Sequence, residues 1–202
     1  MSLIIKKKES VEIPPLKAGT YPAACVYIID IGTQHNQYYN KMEQKVIIGI
    51  EFPTKTVNID GQEKPRWISR EFTLSLNDKA NLKALIETWL GRSITDKEKE
   101  EGFDLKSLLG EPGIATVAVD TGKDGKQYNR LVSMVPMMEG MAAPVLKSEM
   151  LWWDMGAEWD QAMFDKIPGF IQNKIRKSQE YQQNVAPNET IEVKDDKGGC
   201  PF

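Results

Sequence analysis

Residues 66–90 read Arg66-Trp67-Ile68-Ser69-Arg70-Glu71-Phe72-Thr73-Leu74-Ser75-Leu76, then Asn77-Asp78-Lys79-Ala80, then Asn81-Leu82-Lys83-Ala84-Leu85-Ile86-Glu87-Thr88-Trp89-Leu90. The first part has period two, with Trp67, Ser69, Glu71 and Thr73 on one face and Ile68, Arg70, Phe72 and Leu74 on the other. This is the mark of a strand. The last part has helical spacing, with Leu82, Leu85, Ile86, Trp89 and Leu90 on one side. Asn77 or Asp78 is the expected N-cap, and Gly91 the expected stop. One strand therefore passes directly into one amphipathic helix, which restricts the folds open to the rest of the chain.

Upstream, Gly19 to Ile31 reads as a long first strand, rich in Tyr21, Val26, Tyr27, Ile28, Ile29 and Ile31. Gly32 to Gln44 is polar and fits a loop. Lys45 to Phe52 is a second strand that Pro53 should end, and Asp60-Gly61 is a turn pair. Downstream, Thr95 with Glu98 three residues on is a capping-box arrangement, and Phe103 to Leu109 suits a further turn. Gly113 to Val119 is a fourth strand, Gly122 to Lys126 a hairpin turn with two glycines for unusual backbone angles, and Tyr128 to Met134 a fifth strand. Strand, strand, strand, helix, strand, strand is the order of the OB-fold. The expected class is mainly β, a five-stranded β-barrel with a helix between strands three and four. Other small barrels and α+β sheets share the pattern. The expected division is an N-terminal arm (1–18), the barrel (19–135), a linker with a Trp-rich helical appendage (136–182) and a disordered acidic tail (183–202). In the appendage Trp152, Trp153, Trp159, Phe164, Phe170 and Ile171 supply apolar area. Met137, Met138 and Met141 suit either a linker wrapped on the barrel or core filler.

The chain has 202 residues, 41% hydrophobic and 27% charged, enough for a packed core. No apolar run approaches the ~18 residues that span a bilayer, and Met1 to Glu9 lacks the apolar stretch of a secretory signal. Cys25 and Cys200 form no CxxC and suit free thiols in a reducing cytoplasm. The net charge of −3 argues against a polyanion, but the distribution is uneven. Residues 1–70 carry ten Lys/Arg against seven Asp/Glu, and residues 183–202 two against four.

No catalytic constellation stands out. His35 is the one histidine and has no ligand partner at metal spacing. Gly122 to Gly125 lacks the order of a phosphate-binding loop and lies between strands. Neither an enzyme nor a cofactor is expected. Binding a single nucleic-acid strand needs less: cations along the phosphates and flat rings for the bases. An OB-fold offers its second and third strands and two flanking loops. Those places hold Tyr38, Tyr39, Lys41 and Lys45, then Arg66, Trp67 and Arg70, then Lys123, Lys126, Tyr128 and Arg130. Trp67 and Tyr128 suit a core as well as a platform, whereas Tyr38 and Tyr39 lie in a polar loop that favours exposure. By strict alternation Arg66 and Arg70 face away from Trp67, so the three share a groove only if a bulge intervenes.

Three stretches carry a resemblance: Tyr27-Ile28-Ile29-Asp30-Ile31-Gly32-Thr33-Gln34; Ile68 to Leu76; and Gly102-Phe103-Asp104-Leu105 with Leu108-Leu109-Gly110. Together with Ile167-Pro168-Gly169-Phe170-Ile171 and Lys174 to Tyr181, they resemble a family of phage and prophage proteins from replication and recombination modules, regarded as OB-fold single-stranded-DNA-binding proteins. The resemblance covers residues 1–182. It implies a protein that binds single-stranded DNA largely without sequence preference in the cytoplasm of a bacterial host, with no membrane and with oligomers allowed. RNA stays open, because stacking alone does not read the 2′-OH. The ending Cys200-Pro201-Phe202 is similar to the acidic tip of bacterial single-stranded-DNA-binding proteins, which recruits replication and repair enzymes. That similarity implies partner contacts at Asp195, Asp196, Pro201 and Phe202. The tail departs from that tip in two lysines and in Gly198-Gly199-Cys200. The alternative is an adaptor of a phage replication complex that binds no nucleic acid itself.

Overall fold

The computed structural model describes residues 13–59 and 61–185. Six strands run β1 Gly19–Asn36, β2 Lys41–Ile59, β3 Gln62–Thr73, β4 Pro112–Thr121, β5 Gln127–Val135 and β6 Leu151–Trp153. The helices are α1 Asn81–Leu90, α2 Asp96–Glu101, α3 Gln161–Lys166 and α4 Gly169–Ile175, with a 3₁₀ turn at Leu105–Leu108 and a π-type turn at Tyr181–Val185. The first five strands form one antiparallel sheet in the order β3-β2-β1-β4-β5. It curls so that its end strands approach, and Arg70 of β3 spans the gap to the carbonyls of Leu131 (3.0 Å) and Val132 (3.4 Å) on β5. This is the mainly β, OB-like barrel that the sequence order implies. Among the described residues no helix is long and apolar enough to cross a membrane.

The helix between β3 and β4 seals one end of the barrel. Leu82, Leu85, Ile86 and Trp89 of α1 are buried with Ile48, Ile50, Phe52, Ile68, Phe72, Val117 and Leu131 in one core. Gly91 ends α1 in the left-handed region (φ 64°), where a residue without Cβ carries least strain. Neither Asn77 nor Asp78 is the N-cap: α1 begins at Asn81 behind Ala80, and Asp78 instead pairs with Lys83 at 2.6 Å. Thr95 and Glu98 form the expected capping box on α2.

Four strands outrun their sequence limits, whereas β3 starts early, at Gln62, and stops at Thr73, short of Leu76. Pro53 does not end β2. The strand continues to Ile59 across a register shift between Phe52 and Thr56, which leaves the positions around the proline outside the ladder. β1 likewise continues through Gly32 to Asn36, so the loop to β2 is only four residues, 37–40. In the β4–β5 hairpin Gly125 has positive φ (79°), but Gly122 does not; a Cβ there would sit 2.7 Å from Asp124 Oδ1.

Residues 151–181 pack onto the barrel. β6 pairs in parallel with β1, from Tyr27↔Leu151 to Ile29↔Trp153. A second core then covers the outer face of β1 and β2: Val26, Tyr27, Ile29, Ile31 and Ile47 meet Trp153, Phe164, Ile167, Ile171, Ile175 and Tyr181. Consecutive Val26 and Tyr27 both belong to this core, because the β1–β2 ladder shifts register between Cys25 and Tyr27. Phe170 is not part of it and is 54% exposed, as Met138 and Met141 are exposed in the preceding segment. Gly32 closes the arrangement. Its φ is 69°, and a Cβ there would lie 2.5 Å from Glu180 Oε2 and 2.7 Å from Ser178 Cβ. The bare backbone lets Glu180 accept from the Thr33 N–H (2.7 Å) and hydroxyl (2.5 Å).

Candidate nucleic-acid interface

The four aromatic residues singled out from sequence all reach the surface: Tyr38 is 87% exposed, Tyr39 66%, Tyr128 50% and Trp67 43%. Their supports differ. Tyr38 and Tyr39 cap the β1–β2 turn, where Asn40 takes a positive φ of 47° and the two rings meet edge to face with centroids 4.8 Å apart. Trp67 is held firmly. It lies opposite Glu51 in the β2–β3 ladder, donates its indole N–H to Glu51 Oε2 at 3.0 Å, and packs edge to face on Tyr27 at 5.8 Å. Tyr27 in turn crosses β2 above Gly49 and hydrogen-bonds the Ser69 hydroxyl; any Cβ at Gly49 would overlap its ring.

Two grooves share β3 as a wall. One, about 520 Å³, is lined by Pro65, Arg66, Trp67 and Ser69 on the β3 side and Gln127, Tyr128 and Asn129 on the β5 side, with Ile13 to Leu16 along it. Arg66 and Trp67 therefore do share a groove, at the level where the β2–β3 register shifts. Arg70 does not line it. Its side chain turns toward α1 and β5, against Asn81, Leu85, Thr88 and Val132. Burial pulls its pKa down, as does neighbouring Arg130, yet a guanidinium stays charged. The other groove, about 460 Å³, gathers Tyr39, Lys41, Lys45, Glu71, Ser75, Asn77 and Lys79.

Carboxylates accompany several of the cations. Lys41 pairs with Glu43 at 2.8 Å, and this hydrogen bond raises the lysine pKa; its ammonium also sits 5.5 Å from the Tyr39 ring centre. Arg130 pairs with Asp120, whose hydrogen bond holds the guanidinium pKa above its ordinary value. Lys45 and Lys174 share Glu71, at 2.8 and 2.5 Å. Burial alone would raise the Glu71 pKa, but the two ammonium groups outweigh it and hold the carboxyl below its usual range. That triplet keeps one net positive charge. Lys123 and Lys126 are exposed on the β4–β5 hairpin. Asp195, Asp196, Pro201 and Phe202 lie outside the described residues.

Sequence reasoning missed three contributors. Lys174 comes from α4, a hundred residues away in the chain, and no local pattern aims it at Glu71. Asn129 acts through its side chain on the backbone of Leu16. Glu51 did leave a signal, as the single acid in the apolar run Val46 to Phe52. It is fully buried, with Oε1 accepting from the Lys147 N–H at 2.7 Å and Oε2 from Trp67. Among the described residues no group of three or more His, Cys, Asp or Glu is arranged to hold a metal ion. His35 is exposed beside Asn40 Oδ1 (3.0 Å), and Cys25 is a free, buried thiol whose pKa burial pushes up to about 12. Comparison of the chain with protein-family models and with curated proteins finds no match.

Proposed function

We infer that this chain is a non-enzymatic single-stranded-DNA-binding protein, of phage origin and acting in the cytoplasm of a bacterial host during replication or recombination. One observation carries the reading: Arg66, Trp67 and Tyr128 converge on a single groove between β3 and β5 of an OB-like barrel. A base stacks on an exposed ring with about 1–3 kcal/mol per base, whatever its identity, while the guanidinium takes a phosphate. Tyr39 with Lys41, Lys45 and Lys79 offers a continuation along the far end of β3. The tail is assigned to replication or recombination partners on its similarity alone.

A second reading, an adaptor that binds no nucleic acid, draws on the carboxylates Glu43, Glu71 and Asp120 that already occupy three of the cations. Titration of a labelled oligo-dT by anisotropy at two salt concentrations separates the two. The DNA reading expects binding, and a log affinity that falls with log salt by about 0.7 per phosphate contacted. A paired Lys123→Glu, Lys126→Glu change weakens binding and flattens that slope. Absence of any anisotropy change at low salt leaves the adaptor.

A further inference from the structure

The groove that this reading assigns to DNA is already touched by the protein's own chain. Residues 13–16 form one wall of it, between β3 and the β4–β5 hairpin. Two features hold them. Asn129 brackets Leu16, donating Nδ2–H to its carbonyl and accepting from its N–H, both at 2.7 Å, and Leu16 packs against the barrel core. Ahead of that anchor, Arg66 donates to the carbonyl of Pro14 at 2.6 Å. Pro14 is exposed and Ile13 is 44% exposed, so this part is thinly seated.

The segment divides the surface. On one side it borders the groove of Arg66, Trp67 and Tyr128. On the other it borders a hollow of about 640 Å³ whose remaining wall is Gly125, Lys126 and Gln127. A polynucleotide passing from the hairpin cations to the Trp67 ring must cross Pro14 and Pro15. The Arg66 guanidinium of that groove meanwhile donates to a main-chain carbonyl, that of Pro14.

We propose that residues 13–15 form a strap, hinged at Leu16, that narrows the groove in the free protein and is displaced by single-stranded DNA, with Arg66 exchanging the Pro14 carbonyl for a phosphate. The proposal rests on the DNA-binding reading. A docked strap multiplies the intrinsic affinity by the fraction of molecules in which it is open, so a strap open about a tenth of the time weakens apparent binding about tenfold. Pro–Pro is pre-set in an extended form that docks at little entropic cost, and glycines at both positions remove that advantage while every cation is kept.

The test uses the full chain in a Cys200→Ser background with a spin label on Ile13→Cys; Cys25 is buried and stays unlabelled. The strap expects oligo-dT to narrow the label's EPR lines. It also expects the separate Pro14→Gly, Pro15→Gly protein, with an unchanged melting temperature, to bind oligo-dT up to about tenfold tighter. If oligo-dT binds but the lines stay the same or broaden, and the glycine protein binds no tighter, the segment is a fixed wall. The strap then fails while the DNA reading stands. If neither protein binds oligo-dT, the DNA reading fails and the strap with it.

Discussion

β1 and β3 belong to the same sheet, on either side of β2, yet they live in different surroundings. β1 is buried on both faces: Cys25 and Ile28 enter the barrel core, while Val26, Tyr27, Ile29 and Ile31 enter the core beneath β6, α3 and α4. β3 gives Ile68 and Phe72 to the barrel and leaves Trp67, Ser69 and Thr73 facing solvent. The apolar cover of the appendage reaches as far as Tyr27, whose ring extends over Gly49 to Ser69, and beyond it the contacts are polar, from Lys147 to Glu51 and from Lys174 to Glu71. One strand is thus shared by two cores, and the other keeps part of its outer face exposed. Of the β2–β3 face on which polymers are bound in this architecture, the β3 part is left largely open and the β2 part is partly covered, at Ile47 and Glu51.

Removing the cover should have the largest effect. A chain ending at Met150 leaves Val26, Ile29, Ile31 and Ile47 without their outer partners. Such a contiguous apolar face drives association, so the fragment should lose its cooperative melt and aggregate in light scattering. A monomeric fragment with the full-length melting temperature breaks the comparison. Phe164→Ala removes the largest fully buried ring of that core and should cost about 3–5 kcal/mol in urea unfolding.

Gly49→Ala probes the border between the two regions. The added methyl overlaps Tyr27, and overpacking of this kind costs about 1–3 kcal/mol; a neutral result would mean that Tyr27 moves freely off β2. On the open side Tyr128→Ala takes away a half-exposed ring, so melting should hardly change while oligo-dT affinity falls by about 1–3 kcal/mol. Equal losses of stability and affinity would make β3 and β5 no different from β1.

The smallest effect concerns acid. Burial tends to raise the Glu180 pKa, but the two hydrogen bonds from Thr33 outweigh it, and the folded value lies below the ordinary one. A depressed carboxyl adds stability above its unfolded pKa, about 4.3, and that stability is lost as pH falls through the folded value. Urea midpoints measured from pH 6 down to pH 3 should therefore drop more steeply for the wild type than for Glu180→Gln. Parallel curves would show that this contact contributes nothing to holding the appendage.

Features set by neighbours in sequence were legible. The alternation of Trp67 to Thr73, the helical spacing of Leu82 to Trp89, Gly91 as stop and the Thr95–Glu98 box each depend on a few adjacent residues. Misreadings arose where distant contacts override local rules. Pro53 lacks a donor, yet a register shift excuses it from the ladder. Asn77 and Asp78 are good caps, but the chain turns into α1 only after Ala80. Arg70 looked like a ligand contact in a β3 alternation, and the gap between β3 and β5 claims its guanidinium.

From the amino acids alone came the order of the first five strands and α1, and the OB-like class, because periodicity and turn chemistry act over a few residues; Trp152 and Trp153, read there as helical, lie on β6. Only the tertiary structure decided that β1 is covered twice, that Lys174 joins Lys45 on Glu71, that Glu51 anchors Trp67, and that Pro14 lies against Arg66. Each of these joins positions far apart in the chain through burial and hydrogen bonds, which carry no signature in the sequence between them.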